Sequence, residues 1–90
     1  MYSKTTTIIN QSGLHARPAT EFVNCAKSFQ SKVEVRNLSK NSEWVNAKSI
    51  MYILIAELCK SDEVEIRAEG DDEVKAVEDL IKLVDSGFGE

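Results

Sequence analysis

Two short stretches alternate strictly between apolar and charged residues. Val64, Ile66 and Ala68 alternate with Glu65, Arg67 and Glu69, and Val33 and Val35 alternate with Lys32, Glu34 and Arg36. A period of two sends successive side chains to opposite faces, so each stretch reads as a half-buried strand. A sheet of such strands needs a cover on one face only, and the remaining apolar periodicity supplies it. Ala19, Phe22, Val23, Ala26 and Phe29 recur at helical spacing, predicting a helix over about 16–28 whose first turn contains Pro18. Val74, Val77, Leu80, Ile81 and Val84 predict a second, opened by Gly70-Asp71-Asp72 with Asp71 or Asp72 as its cap. Gly87 and Gly89 end it, with Phe88 packing back.

The rest of the chain fits between these elements. Residues 2–9, rich in Thr and Ile, predict a first strand with Tyr2, Thr6 and Ile8 inward and Lys4 as an exception. Asn10 to Gly13 is a turn signal. Leu38 to Ser42 is a polar reversal without Asn-Gly or Asp-Gly, predicting a longer, more mobile loop before a returning strand at 43–46. A helix over about 47–58 is expected, although Ile50, Ile53 and Ile55 also suit a strand. The order is strand, helix, strand, strand, helix, strand, helix. That is an α+β domain over residues 1–90, its sheet antiparallel or mixed, with helices on one face.

Composition narrows the function. With 11 basic and 15 acidic residues the net charge is −4, which opposes nucleic acid as the main partner. Cys25 and Cys59 lack metal-ligand spacing and read as reduced, partly buried thiols. Residues 1–6 lack the apolar core of a secretory signal. The apolar run from Ile50 to Leu58 is too short to span a bilayer, and a cytoplasmic, monomeric protein without membrane insertion is expected.

The chemistry concentrates at Ser12-Gly13-Leu14-His15-Ala16-Arg17-Pro18-Ala19, which holds the only histidine. An unprotonated imidazole is a nucleophile toward phosphorus. The positive end of a helix disfavours the imidazolium form and stabilises an added dianion through exposed N–H groups, here those of Ala16 and Arg17. Arg17 can add charge-assisted hydrogen bonds to phosphoryl oxygens. Gly13 permits the turn and leaves room beside the ring. With no second general acid and no water-positioning group adjacent, the set suits reversible carriage better than hydrolysis. A lone His-x-Arg-Pro also arises by chance, and the bland reading is a capping or surface histidine.

Gly13-Leu14-His15-Ala16-Arg17-Pro18-Ala19 resembles the phosphorylation motif of the HPr family, histidine phosphocarriers of the bacterial phosphoenolpyruvate-dependent sugar phosphotransferase system. Asn46-Ala47-Lys48-Ser49-Ile50-Met51 resembles that family's regulatory-serine region, and the likeness extends to Gly87-Phe88-Gly89-Glu90. The resemblance implies an open-faced β-sandwich, βαββαβα, with a four-stranded antiparallel sheet of order 1-4-2-3 and three helices on one face. It implies that His15 takes phosphate on Nδ1 from phosphorylated enzyme I and passes it to enzyme IIA, with Arg17 stabilising it. It further implies ATP-dependent phosphorylation of Ser49 by an HPr kinase/phosphorylase, the product acting with a catabolite-control transcription factor. Ile50, Met51 and Leu54 would form an apolar docking surface. No cofactor is implied, and Mg²⁺ would belong to the partner enzymes. Tyr52 and Glu57 stand where the family pattern has glycine, and the 38–44 hairpin is longer by a few residues.

Three other readings compete. A regulatory interaction module would act mainly through Ser49, with His15 vestigial. An RNA-binding α/β sandwich is opposed by the acidic charge and the lack of an aromatic-rich basic strand. A hydrolase would need a paired nucleophile, metal cluster or carboxylate dyad that the sequence lacks.

Overall fold

A computed structural model describes all 90 residues. Strand β1 (Tyr2–Thr7) is followed by helix α1 (Ala16–Lys27), strands β2 (Lys32–Asn37) and β3 (Val45–Asn46), helix α2 (Ile50–Ile55), strand β4 (Glu63–Glu69) and helix α3 (Glu73–Asp85). A 3-10 turn over Gly87–Gly89 closes the order. The sheet runs β1-β4-β2-β3 with every pair antiparallel, the order the family resemblance implies.

Register explains why the alternation works. Val35, Ile66 and Lys4 lie side by side across β2, β4 and β1, as do Val33, Ala68 and Tyr2. Val33, Val35, Val64, Ile66 and Ala68 are buried beneath the helices, where they join Phe22, Val77, Leu80 and Val84. Burying each such large side chain contributes about 1.5–3 kcal/mol, so this layer holds the sheet and helices together. Lys4, the exception in β1, lies on this inner face at the sheet edge. Its ammonium reaches Glu78 of α3 at 2.8 Å. The outer face is polar: Arg67 pairs with Glu34 at 2.8 Å and Arg36 with Glu65 at 2.7 Å, and both guanidinium groups lie over the Trp44 ring.

Four local expectations change. Helix α2 is half the expected length. Ser49 stays extended (φ −117°, ψ 119°) and caps it, while Ala47 donates to Val33 O at 3.0 Å as part of the sheet side. At its other end Glu57 turns left-handed (φ 50°). Asp72 precedes α3, but its carboxylate caps nothing in that helix; it accepts from the N–H groups of Gln30 and Ser31, both at 3.0 Å, and from the Ser31 hydroxyl. It thereby fastens the α1–β2 turn, and those donors hold its carboxyl below the usual range. Val74 is 52% exposed, and Ala76 takes the buried place on the α3 stripe. The reversal after β2 is tied down by Ser42 N–H to Asn37 O at 2.9 Å and Glu63 N–H to Ser39 Oγ at 2.8 Å.

Candidate functional site

The segment between β1 and α1 is fixed before it reaches His15. Ile8 N–H donates to Asp62 O at 2.9 Å, and Leu14 N–H donates to Leu58 O at 2.8 Å. Between these anchors Asn10 Nδ2 donates to Gly13 O at 2.8 Å. Gly13 adopts φ +65°, and a Cβ there would lie 2.9 Å from Cys59 Cα. The glycine therefore serves a close backbone approach to residues 58–59, not free space beside the imidazole.

His15 itself is the N-cap of α1, with extended backbone (φ −128°, ψ 160°), and its side chain makes no capping bond. The ring is half-buried and not committed to its own helix. Next to it Ala16 has φ +52°, a left-handed conformation costing roughly 1–2 kcal/mol for a residue with a Cβ. The N–H groups of Ala16 and Arg17 donate to no acceptor in the chain. Pro18 has no N–H and is buried against the core, so the first turn presents two free donors and a fixed φ.

Arg17 is 54% exposed. Its guanidinium donates to the Glu21 carboxylate one turn on and to Phe88 O at 2.6 Å. The arginine is thus held at the surface by partners it can exchange for an anion, since exposed pairs of this kind contribute only about 0.3–0.5 kcal/mol. Glu90 closes the other side. Its carboxylate accepts from Ser12 Oγ at 2.8 Å, from Ser12 N–H at 3.2 Å and from Asn10 Nδ2 at 3.2 Å. The Ser12 donors, then Asn10, hold its carboxyl below the usual range. Asn10 is 2% exposed, and its Oδ1 has no partner.

The second motif lies on α2, which packs against α1. Ser49 Oγ accepts from Tyr52 N–H at 3.4 Å, so this hydroxyl is engaged in capping. Ile53 is buried, but Ile50, Met51, Tyr52, Leu54 and Ile55 are exposed, Met51 by 64%. They form an exposed apolar surface on one short helix. The largest concavity, about 590 Å³ between α1 and α3, includes none of these residues; Cys25, whose thiol is pushed up by burial and by Asp79, lies in its wall. Cys25 and Cys59 are both free and half-buried.

A family model described as the PTS HPr component phosphorylation site matches residues 2–86. The chain belongs to the HPr family. The phosphocarrier protein HPr of Neisseria meningitidis is 38% identical over 90 residues, covering 100% of this chain and 98% of that protein. A multiphosphoryl transfer protein of Haemophilus influenzae is 43% identical over 86 residues, but the chain spans only 17% of its length. Among solved structures, an HPr from Thermoanaerobacter tengcongensis is 44% identical with a TM-score of 0.93, covering 100% of this chain and 98% of that one. An HPr from Bacillus anthracis is 32% identical with a TM-score of 0.86 over 92% of this chain and 95% of that one.

Sequence reading of the HPr motifs missed the partners that surround them. Glu21 carries a local signal, since it follows Arg17 by four residues on one helix. Ser12 with Glu90 and Arg17 with Phe88 are separated by more than 70 residues, and no periodicity links them.

Proposed function

We propose that the chain is a phosphocarrier that accepts a phosphoryl group on Nδ1 of His15 from phosphorylated enzyme I and delivers it to enzyme IIA proteins for sugar uptake. The observation that carries this reading is an imidazole uncommitted to capping at the head of α1, beside two N–H groups without acceptors and a surface arginine. The neutral Nδ1 lone pair attacks the phosphorus carried by phosphorylated enzyme I. A new N–P bond forms as the bond between phosphorus and the donor atom of enzyme I breaks, and that electron pair returns to the donor. Onward transfer repeats the step with the roles reversed. Ala16 and Arg17 N–H groups and the Arg17 guanidinium oppose the added negative charge. The protein is then a substrate of its partner enzymes rather than an enzyme with its own turnover. It acts as a single cytoplasmic, monomeric domain without a cofactor. Incubation with phosphoenolpyruvate and enzyme I should give acid-labile phosphate that His15→Ala abolishes; labelling that survives this change would overturn the proposal.

A second role rests on Ser49. Its half-buried hydroxyl lies beside the exposed Ile50, Met51 and Leu54. A phosphate from an HPr kinase/phosphorylase would add about two negative charges at the edge of that apolar surface. It would hinder an acidic partner and favour a basic one, such as a catabolite-control transcription factor. A Bacillus subtilis structure named as the catabolite repression protein Crh is 36% identical with a TM-score of 0.73, which supports considering this use. ATP-dependent labelling at Ser49, lost in Ser49→Ala, is the expected result.

A further inference from the structure

The turn between α2 and β4 has an unusual backbone and an unusual set of restraints. Glu57 (φ 50°) and Ser61 (φ 76°) are both left-handed without being glycine. Such conformations persist where the surroundings over-determine them. Here the Asp62 carboxylate supplies the restraint. It accepts from Cys59 N–H at 3.0 Å, from Asn37 Nδ2 at 2.9 Å and from Lys40 Nζ at 3.0 Å. Asn37 is fully buried at the end of β2, and its amide also donates to Ala56 O at 3.3 Å and Glu57 O at 3.2 Å. Lys40 donates to Glu57 O at 2.5 Å. Burial works against the carboxylate, but the Asn37 amide, the Cys59 N–H and Lys40 outweigh it and keep the group ionised below the usual range.

The His15 segment hangs from this same turn by both ends. Ser61 N–H donates to Ile8 O at 2.7 Å and Asp62 O accepts from Ile8 N–H; Leu58 O accepts from Leu14 N–H, next to His15. Gly13 lies against Cys59 with no room for a Cβ. A change in the turn is therefore passed to Leu14 without an intervening flexible residue. Asn37 and Lys40 also hold the carbonyls of Ala56 and Glu57 just past α2, so the same cluster links the His15 segment to the end of the exposed apolar helix. We propose that Asp62, gripped by Asn37 and Lys40, is a positioning residue that sets the His15 segment for phosphoryl transfer. The proposal rests on the phosphocarrier reading and extends it to residues outside both motifs. A misplacement near 1 Å can slow a transfer by about a hundredfold, so a remote carboxylate can matter.

The test compares wild type, Asp62→Ala and Asp62→Asn in single-turnover transfer from phosphorylated enzyme I, with amide exchange read at Leu14 and at Ile66 in β4. Asp62→Ala should slow transfer about tenfold to a hundredfold, with the KM for enzyme I changed by less than about threefold. Leu14 exchange should accelerate at least about tenfold while Ile66 stays protected. Asp62→Asn keeps an acceptor for Cys59 N–H and should recover most of the rate. Transfer at the wild-type rate in Asp62→Ala, or equal acceleration at Leu14 and Ile66, overturns the proposal. Should Asp62→Ala not fold, Lys40→Met replaces it; about threefold slower transfer is expected, and an unchanged rate overturns the idea. Wild type that takes no phosphate would sink the phosphocarrier reading alone, since Leu14 exchange would still report whether Asp62 holds the segment.

Discussion

The heads of α1 and α2 begin alike and end in different chemistry. Both N-caps are extended, His15 at φ −128° and Ser49 at φ −117°. Ser49 turns its oxygen back onto Tyr52 N–H and so satisfies its own helix. His15 does not, and the donors at Ala16 and Arg17 stay open. A helix start can be closed by its own cap or leave its donors open, and one chain holds both kinds. Backbone strain follows the same division. In α1 the left-handed residue, Ala16, directly follows His15, whereas in α2 it is Glu57, at the far end from Ser49.

The sharpest way to break this comparison is to remove the open head. His15→Gln should reduce phosphoenolpyruvate-dependent labelling by more than about a thousandfold, since the amide cannot accept phosphorus. Because the imidazole caps nothing, the midpoint of thermal unfolding should move by less than about 4 °C. A large drop in that midpoint would show that the two heads are structurally alike after all. Arg17→Ala comes next. It removes one counter-charge and leaves both N–H donors, so transfer should fall about tenfold to a hundredfold. Stability should fall by less than about 1 kcal/mol, because the Glu21 pair is exposed and only one backbone carbonyl loses its donor. A loss seen only in stability would reassign Arg17 to holding Phe88.

Strain gives a smaller contrast. Glu57→Gly places a residue without a Cβ where φ is 50°, so stability should rise by about 0.5–1 kcal/mol. Denaturant midpoints would register it, and phosphoryl transfer should stay within about twofold of wild type. Destabilisation would mean that the Glu57 side chain has a role its exposure does not suggest.

Much of this was legible in the sequence for a simple reason. The strands around Val33, Val35, Val64, Ile66 and Ala68 have one wet face, and α1 has one apolar stripe, so local pattern and tertiary position agree. The motif around His15 was legible because histidine, arginine and proline fall within one helix start, whereas the role of Gly13 was not, since it depends on the backbone of Leu58 and Cys59. What was not legible depends on contacts distant in sequence. Asp72 looks like a helix cap until the Gln30–Ser31 turn arrives beside it. The extent of α2 depends on Ala47 joining β2 and on a left-handed Glu57, neither of which an apolar run reveals. Arg17 shows its charge and its Glu21 partner in the sequence, but its contact with Phe88 O follows from how α1 meets the 3-10 turn.

Ser49→Ala is the smallest change and the most direct probe of the closed head. A good side-chain cap contributes about 1 kcal/mol, but the Ser49 bond is long at 3.4 Å and spans the start of a six-residue helix. The expected loss is therefore about 0.5 kcal/mol, measured by denaturant midpoint. Phosphoenolpyruvate-dependent labelling of His15 should be unchanged, because α1 retains its own donors. If that labelling fell in step with Ser49→Ala, the apolar surface of α2 would depend on the cap for its docking geometry. The two helix heads would then act as one site, and the distinction between an open and a closed start would describe their hydrogen bonds but not their function.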